Sequence, residues 1–331
     1  MISRRELIVG AAVALGRRAD SDASSPEPEA SGERPSASQP ATRVNFSVPR
    51  GACDCHTHVF GDPRAFPFAA GRTYTPELAS VAELRALHRA LHMDRVVVVQ
   101  PSVYGSDNTC TMDAVRQLGD RARGVGVIDD ATTDGTLDSM HRGGIRGIRL
   151  NLETFGQTDP DAARTRLREA IARISGRGWH VQVYTRLSII EALGDDIRQS
   201  SVPIVVDHFG SADASMGIAQ PGFQTLVGLV QSGRVYVKIS GAYRCSVNGP
   251  DYADVAPFAR ALVSANPDRV VWGTDWPHPD SSRVAGRTAT DMAPLLPIDD
   301  GRLLNQLAVW VPDAATRRRI LVDNPRRLYA F

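Results

Sequence analysis

The chain has 331 residues, of which 42% are hydrophobic, and 38 Lys plus Arg stand against 37 Asp plus Glu for a formal net charge of +1. A balance this even gives no electrostatic footprint for nucleic acid or for an anionic membrane surface. The length is enough to bury one large core, which leaves a globular protein acting on or binding a small molecule.

In chain order the first feature is Ser3-Arg4-Arg5-Glu6-Leu7, followed by the apolar run Leu7 to Gly16 and then Arg17-Arg18. Residues 1–19 resemble a twin-arginine export signal. The apolar run is too short to span a bilayer, and no clear small-x-small cleavage site follows it. Periplasmic export and a cytoplasmic location both stay open. Residues 20–43, dominated by Ser, Pro, Glu and Ala, are too poor in large apolar groups to fold and read as a disordered linker. The globular part is 44–331.

There, short β-branched runs alternate with longer amphipathic ones. The predicted strands are Ala52 to His58, Arg95 to Gln100, Gly124 to Asp129, Ile145 to Asn151, His180 to Thr185, Pro203 to His208, Val235 to Ser240 and Arg269 to Thr274. Helical periodicity appears between them, for example in the Val81-Leu84-Leu87-Leu91 stripe, Ala162 to Ile174, Phe223 to Val230 and Asp254 to Val263. Eight such units over about 285 residues predict a (β/α)8 TIM barrel. A doubly wound open sheet is the alternative, but no Gly-x-Gly-x-x-Gly follows the first strand. Cys53, Cys55, Cys110 and Cys245 make no recognisable disulfide framework. Cys53 and Cys55 alternate with Asp54 and His56, so the thiols are expected opposite Asp54 as packing residues, with a Cys-x-Cys metal site as the sharper alternative.

In such a barrel the functional groups gather at the C-terminal strand ends. Those ends are strongly polar: His56 and His58, Gln100 and Ser102, Arg149 and Asn151, Tyr184 and Arg186, Asp207 and His208, Ser240 leading to Tyr243 and Arg244, and Asp275. Two-residue alternation lets His56 and His58 point into one pocket. Together the seven ends predict a pocket for an anionic, oxygen-rich molecule.

Across Val44 to Phe331 the chain resembles the amidohydrolase superfamily, specifically the amidohydrolase-2 group typified by 2-pyrone-4,6-dicarboxylate lactonase. The resemblance rests on Cys53-Asp54-Cys55-His56-Thr57-His58-Val59-Phe60-Gly61, Arg146-Gly147-Ile148-Arg149-Leu150-Asn151, Val206-Asp207-His208-Phe209-Gly210, Lys238-Ile239-Ser240-Gly241, Gly273-Thr274-Asp275-Trp276-Pro277-His278-Pro279 and Asn324-Pro325-Arg326-Arg327-Leu328-Tyr329. It implies a reaction centre of His56, His58, His208 and Asp275, with Asp275 as general base and the histidines polarising the attacked carbonyl. It also implies that Arg149 and Arg244 hold a substrate carboxylate, and Tyr74, Ser102 and Tyr184 are further candidate donors. A structural ion pair at the barrel mouth is the plainer role for the arginines.

On geometry alone His56, His58, His208 and Asp275 could ligate zinc. Strand five, however, ends in Tyr184 with His180 at its opposite end, and strand four ends in the cation Arg149, so no metal cofactor is expected. Glu153-Thr154-Phe155 stands where the resembled lactonase has a second arginine, which weakens the case for a dicarboxylate and offers Phe155 as an apolar contact. The expected activity is therefore hydrolysis of a carboxylate-bearing lactone: a pyrone carboxylate, a muconolactone or a sugar-acid lactone. A zinc-dependent decarboxylase or amide hydrolase, a lactone isomerase and a non-catalytic exported binder are the rivals.

Overall fold

A computed structural model describes residues 37–282 and 285–331. The expected export signal and the linker up to residue 36 lie outside the described residues. Eight parallel strands follow one another in chain order around the sheet: β1 Cys53–Thr57, β2 Arg95–Val99, β3 Ala122–Gly126, β4 Ile145–Asn151, β5 His180–Tyr184, β6 Ile204–Val206, β7 Val235–Ser240 and β8 Val270–Gly273. The His58 amide donates to the Trp276 carbonyl and the Asp275 amide to the His56 carbonyl, each at 2.8 Å, which joins the first strand to the last. The expected (β/α)8 barrel is the observed fold. No helix of the described residues is long and apolar enough to cross a membrane.

The helices outside the ring include α1 Val81–Leu91, α2 Thr109–Leu118, α3 Asp134–Arg142, α4 Pro160–Ile174, α5 Phe223–Gln231, α6 Ala256–Ala265 and α7 Asp300–Trp310. Their starts follow from local chemistry. Before α1 the Ser80 hydroxyl accepts from the Glu83 amide while the Glu83 carboxylate accepts from the Ser80 amide, a reciprocal cap. Asp159 caps α4, with Pro160 in the first turn where its missing N–H costs nothing. Val81, Leu84, Leu87 and Leu91 are the buried stripe of α1.

Two boundaries differ from expectation by three residues or more. β3 ends at Gly126 rather than Asp129, because the Asn108 side chain takes the place of a neighbouring strand: its Oδ1 accepts from the Val127 amide at 2.8 Å and its Nδ2 donates to the Val127 carbonyl at 2.7 Å. The end of the segment read as linker is ordered against the barrel. Ala37 is buried, the Trp276 indole donates to the Ser38 carbonyl at 3.0 Å, and the Thr42 amide donates to Asp299. These backbone contacts need no large side chains, so composition does not reveal them.

The bottom of the barrel is plugged from within. Cys53, Cys55, Val97, Val99, Val125, Val205, Tyr236 and Val271 pack inside the ring against Leu328 and Tyr329 from the terminal helix Asn324–Tyr329. All four cysteines are free and buried. Cys53 and Cys55 are thus packing residues, as expected. His180 stands edge-to-face on Tyr329 at 5.2 Å, at the end remote from the strand tips.

Candidate active site

Simple alternation puts Asp54 and His56 on one face of β1, and the structure does not. The pairing of β1 with β2 slips between Asp54 and Thr57, a bulge that sends Asp54 outward and His56 inward. Outside the ring, Asp54 accepts from the Thr274 amide at 2.9 Å and the Thr274 hydroxyl at 2.7 Å, and meets His88 of α1 at 3.3 Å. It ties β1 to the end of β8. Beyond the bulge His56 and His58 both point inward, with ring centroids 5.0 Å apart.

Asp275 is the centre of the arrangement. Its Oδ1 lies 3.6 Å from His56 Nε2 and 3.7 Å from both His58 Nε2 and His208 Nε2. Its Oδ2 accepts from Arg244 Nε at 2.5 Å and from the Tyr243 hydroxyl at 2.6 Å. The backbone here is held in the left-handed region, with φ of 69° at Asp275 and 49° at His208. Such conformations cost of order 1–3 kcal/mol and persist where the surroundings dictate them. Two glycines make room: a Cβ at Gly273 would come within 2.6 Å of the His56 amide nitrogen, and one at Gly241 within 3.0 Å of His208 Nδ1 and 3.1 Å of Asp275 Oδ2.

Burial sets the protonation states. It depresses His58 to about 3 and His208 to about 4, and pushes His56 well below its usual range with the Lys238 ammonium adding to the effect. The three imidazoles are neutral near pH 7. Burial alone would raise the Asp275 carboxyl, but the Arg244 guanidinium together with the three surrounding imidazoles outweighs it and holds the group well below the usual carboxylate range.

The outer ring nitrogens are also engaged. His58 Nδ1–H donates to the Val99 carbonyl at 2.8 Å, so the neutral ring offers a lone pair at Nε2. The Ser240 hydroxyl meets His208 Nδ1 at 2.9 Å. His56 Nδ1 lies 3.2 Å from Lys238 Nζ and 3.3 Å from Asp207 Oδ1.

Eight of the nine expected site residues, His58, Tyr74, Ser102, Arg149, Tyr184, His208, Arg244 and Asp275, line one neck of about 20 Å³, and His56 is buried beneath it. That volume is room for about one water. The neck opens into an outer chamber of about 490 Å³ with walls that include Glu153, Arg186, Tyr243 and Leu296. Tyr74 pairs with Ser102 on one wall. Opposite, the Arg149 guanidinium sits over the Tyr184 ring at 5.3 Å and reaches Asp207 through Nε at 3.4 Å.

Two strand-end residues and one loop residue serve elsewhere. Gln100 holds its own loop by donating to the Gly105 and Asp107 carbonyls. Arg186 is clamped by Glu153 through contacts of 3.0 and 2.7 Å. Phe155 does not face the substrate space as expected. It is half-exposed and lines a separate cavity of about 560 Å³ between β4 and α4, because the turn at Glu153–Gly156 carries it outside the ring.

A sequence model of the amidohydrolase family matches residues 53–331. The chain belongs to the amidohydrolase family. It is 38% identical over 301 residues to a 2-pyrone-4,6-dicarboxylate hydrolase of Comamonas testosteroni, covering 87% of this chain and 93% of that one. A 4-sulfomuconolactone hydrolase of Hydrogenophaga intermedia is 37% identical over 288 residues, covering 86% and 91%. The crystal structure of an Agrobacterium tumefaciens protein, solved without ligand, superposes with a TM-score of 0.74 at 28% identity, covering 87% of this chain and 98% of that one.

Many amidohydrolases carry a metal, and in this one His56, His208 and Asp275 offer donor atoms within 4.8 Å of one another. The charges around that trio oppose a divalent cation. Arg244 already holds Asp275 Oδ2, Arg149 lies at the same neck, and Lys238 backs His56. The part of this amidohydrolase that strand-end reasoning missed is the layer below: Lys238 donates to Gln182 Oε1 at 2.6 Å, and Gln182 Nε2 to Asp207 Oδ2 at 2.9 Å. A signal was present. Lys238 interrupts the apolar run Val235-Tyr236-Val237-Lys238-Ile239-Ser240 at an inward position two residues before Ser240.

Proposed function

We propose that this amidohydrolase opens the ring of a lactone bearing one carboxylate, without a metal. The observation that carries the reading is the unpartnered Oδ1 of an ionised Asp275 facing three neutral imidazoles at a neck flanked by two guanidiniums. The relatives from Comamonas testosteroni and Hydrogenophaga intermedia act on a pyrone dicarboxylate and a sulfonated muconolactone by name, both anionic lactones.

In this mechanism the neck holds the attacking water between Asp275 Oδ1 and the His58 Nε2 lone pair. Asp275 takes one proton as the water oxygen adds to the lactone carbonyl. His56 and His208 donate to the developing oxyanion. His58 does not share that role as expected, because its only N–H is committed to Val99. Collapse of the tetrahedral intermediate breaks the ring C–O bond, and the proton on Asp275 passes to the departing ring oxygen. The product is the open-chain hydroxy acid or its keto tautomer.

The terminal nitrogens of Arg244 and Arg149 grip the substrate carboxylate. Only one carboxylate is called for, since Glu153 already neutralises Arg186 in the outer chamber. The test is a panel of carboxylated and neutral lactones and pyrone carboxylates, each with and without chelator. Turnover of a carboxylated lactone insensitive to chelator is expected. Activity on an amide or decarboxylation substrate that requires added zinc overturns the reading.

A further inference from the structure

We infer that Lys238, at the floor of the site, is a positioning residue that fixes the tautomer of His56, keeping its proton on Nε2 so that the ring donates into the neck and is withdrawn from metal ligation. The catalytic meaning of this inference rests on the lactonase reading; the tautomer itself does not.

A chain of hydrogen bonds runs from Asp207 through Gln182 and Lys238 to His56. The Asp207 carboxylate is fully buried and only accepts: burial raises its pKa, but the Lys238 ammonium together with His56 and the Arg149 guanidinium outweighs burial and holds it well below the usual range. Its Oδ2 receives the Gln182 amide at 2.9 Å, which turns Gln182 Oε1 toward Lys238 at 2.6 Å. Lys238 is fully buried and carries three donors and no acceptor. Three acceptors surround it: Gln182 Oε1, Asp207 Oδ1 at 3.5 Å and His56 Nδ1 at 3.2 Å. Gln182 Oε1 takes one ammonium hydrogen, Asp207 Oδ1 stands at ion-pair distance, and the hydrogen directed at His56 is met only if Nδ1 carries a lone pair, so the His56 proton resides on Nε2, which faces Asp275 Oδ1 at 3.6 Å.

One arrangement competes. Asp207 Oδ1 lies 3.3 Å from His56 Nδ1, and an Nδ1–H turned to it would leave Nε2 bare, the state in which a carboxylate-backed histidine binds zinc. That arrangement sets a ring N–H against the ammonium in a fully buried site, a donor facing a donor, and leaving a buried donor unmet costs about 1–3 kcal/mol. The choice between an oxyanion donor and a metal ligand therefore rests with Lys238. Without it, Asp207 becomes the one remaining partner of Nδ1.

The test is the two-bond ¹H–¹⁵N correlation spectrum of ¹⁵N-histidine-labelled full-length protein, with His56 assigned by comparison with His56→Gln. The inference expects a protonated Nε2 and an unprotonated Nδ1 for His56 in the native protein. A protonated Nδ1 there overturns it, whatever the lactone assays give. In Lys238→Met the proton is expected on Nδ1, with zinc affinity raised on the order of 10- to 100-fold and kcat on the best lactone lowered about 10²-fold at little-changed KM. Asp207→Asn, which keeps Lys238, is expected to retain the Nε2 proton, and loss of it there also overturns the inference. If no lactone is opened while the native spectrum shows Nε2–H, the lactonase reading has failed and the tautomer assignment stands.

Discussion

Arg244 donates its Nε–H to Asp275 Oδ2 at 2.5 Å, while Oδ1 of the same carboxylate has no hydrogen-bond partner among the described residues. The two oxygens are thus divided between two tasks. Oδ2, saturated by Arg244 and Tyr243, fixes the plane of the carboxylate, and Oδ1 is left at the neck to take a proton. A buried carboxylate with one idle oxygen is costly unless that oxygen meets a partner in the working state.

Asp275→Asn is therefore expected to lower kcat on the best lactone by roughly 10²–10⁴-fold with thermal unfolding little changed, since the amide keeps the shape and loses the base. The measurement is steady-state kinetics beside a melting curve. Activity above about a tenth of the native value removes Asp275 from the role of base.

Arg149 and Arg244 separate by what else they hold. Arg149→Met is expected to raise KM for a carboxylated lactone by the equivalent of about 1.5–3 kcal/mol and to leave a neutral lactone nearly unaffected. Arg244→Met is expected to lower kcat on both substrates as well, because it also orients Asp275. Equal effects of Arg149→Met on the two lactones would make that arginine an ion-pair partner of Asp207 and nothing more.

The barrel and the upper tier of this site were legible in the sequence because strand tips carry their chemistry at a fixed place, so His58, Arg149, Tyr184, His208 and Asp275 could be read from run endings alone. The lower tier was harder. Alternation pairs His56 with His58, but the same parity puts Asp54 beside them, and only the bulge in β1 turns Asp54 outward, a feature with no glycine or proline at the slip to announce it. Gln182 and Lys238 sit mid-strand, where a polar residue reads as a flaw in an apolar run until its partner across the barrel is known. The Arg186–Glu153 clamp joins two loops 33 residues apart, and nothing local in either segment signals it.

Freeing Arg186 should broaden specificity. Glu153 holds it through two contacts in the outer chamber, and both side chains are partly exposed. Glu153→Gln removes the neutralising charge, so KM for a dicarboxylated lactone is expected to fall roughly twofold to fivefold, the range for a partly exposed ion pair, with the monocarboxylate unchanged. A parallel change for both substrates would place Arg186 outside the substrate's reach.

The last prediction joins pH to the absence of a required metal. His208 at about 4 and His58 at about 3 are neutral well below the 6.5 of a free imidazole, and Asp275 stays ionised below the usual carboxylate range. The kcat/KM profile should therefore be flat from pH 7 down to about 5, whereas a zinc-bound water would bring an acid limb near pH 7. Stability moves differently. Between about pH 6.5 and 4 the unfolded chain binds protons at these histidines and the folded one does not, so stability is lost as pH falls through that window and regained as it rises. Activity at pH 5 should be assayed at a temperature where the fold still holds. Dialysis against chelator should leave the whole profile in place. If it abolishes turnover and zinc alone restores it, with an acid limb near neutrality, the zinc-hydrolase alternative replaces this mechanism.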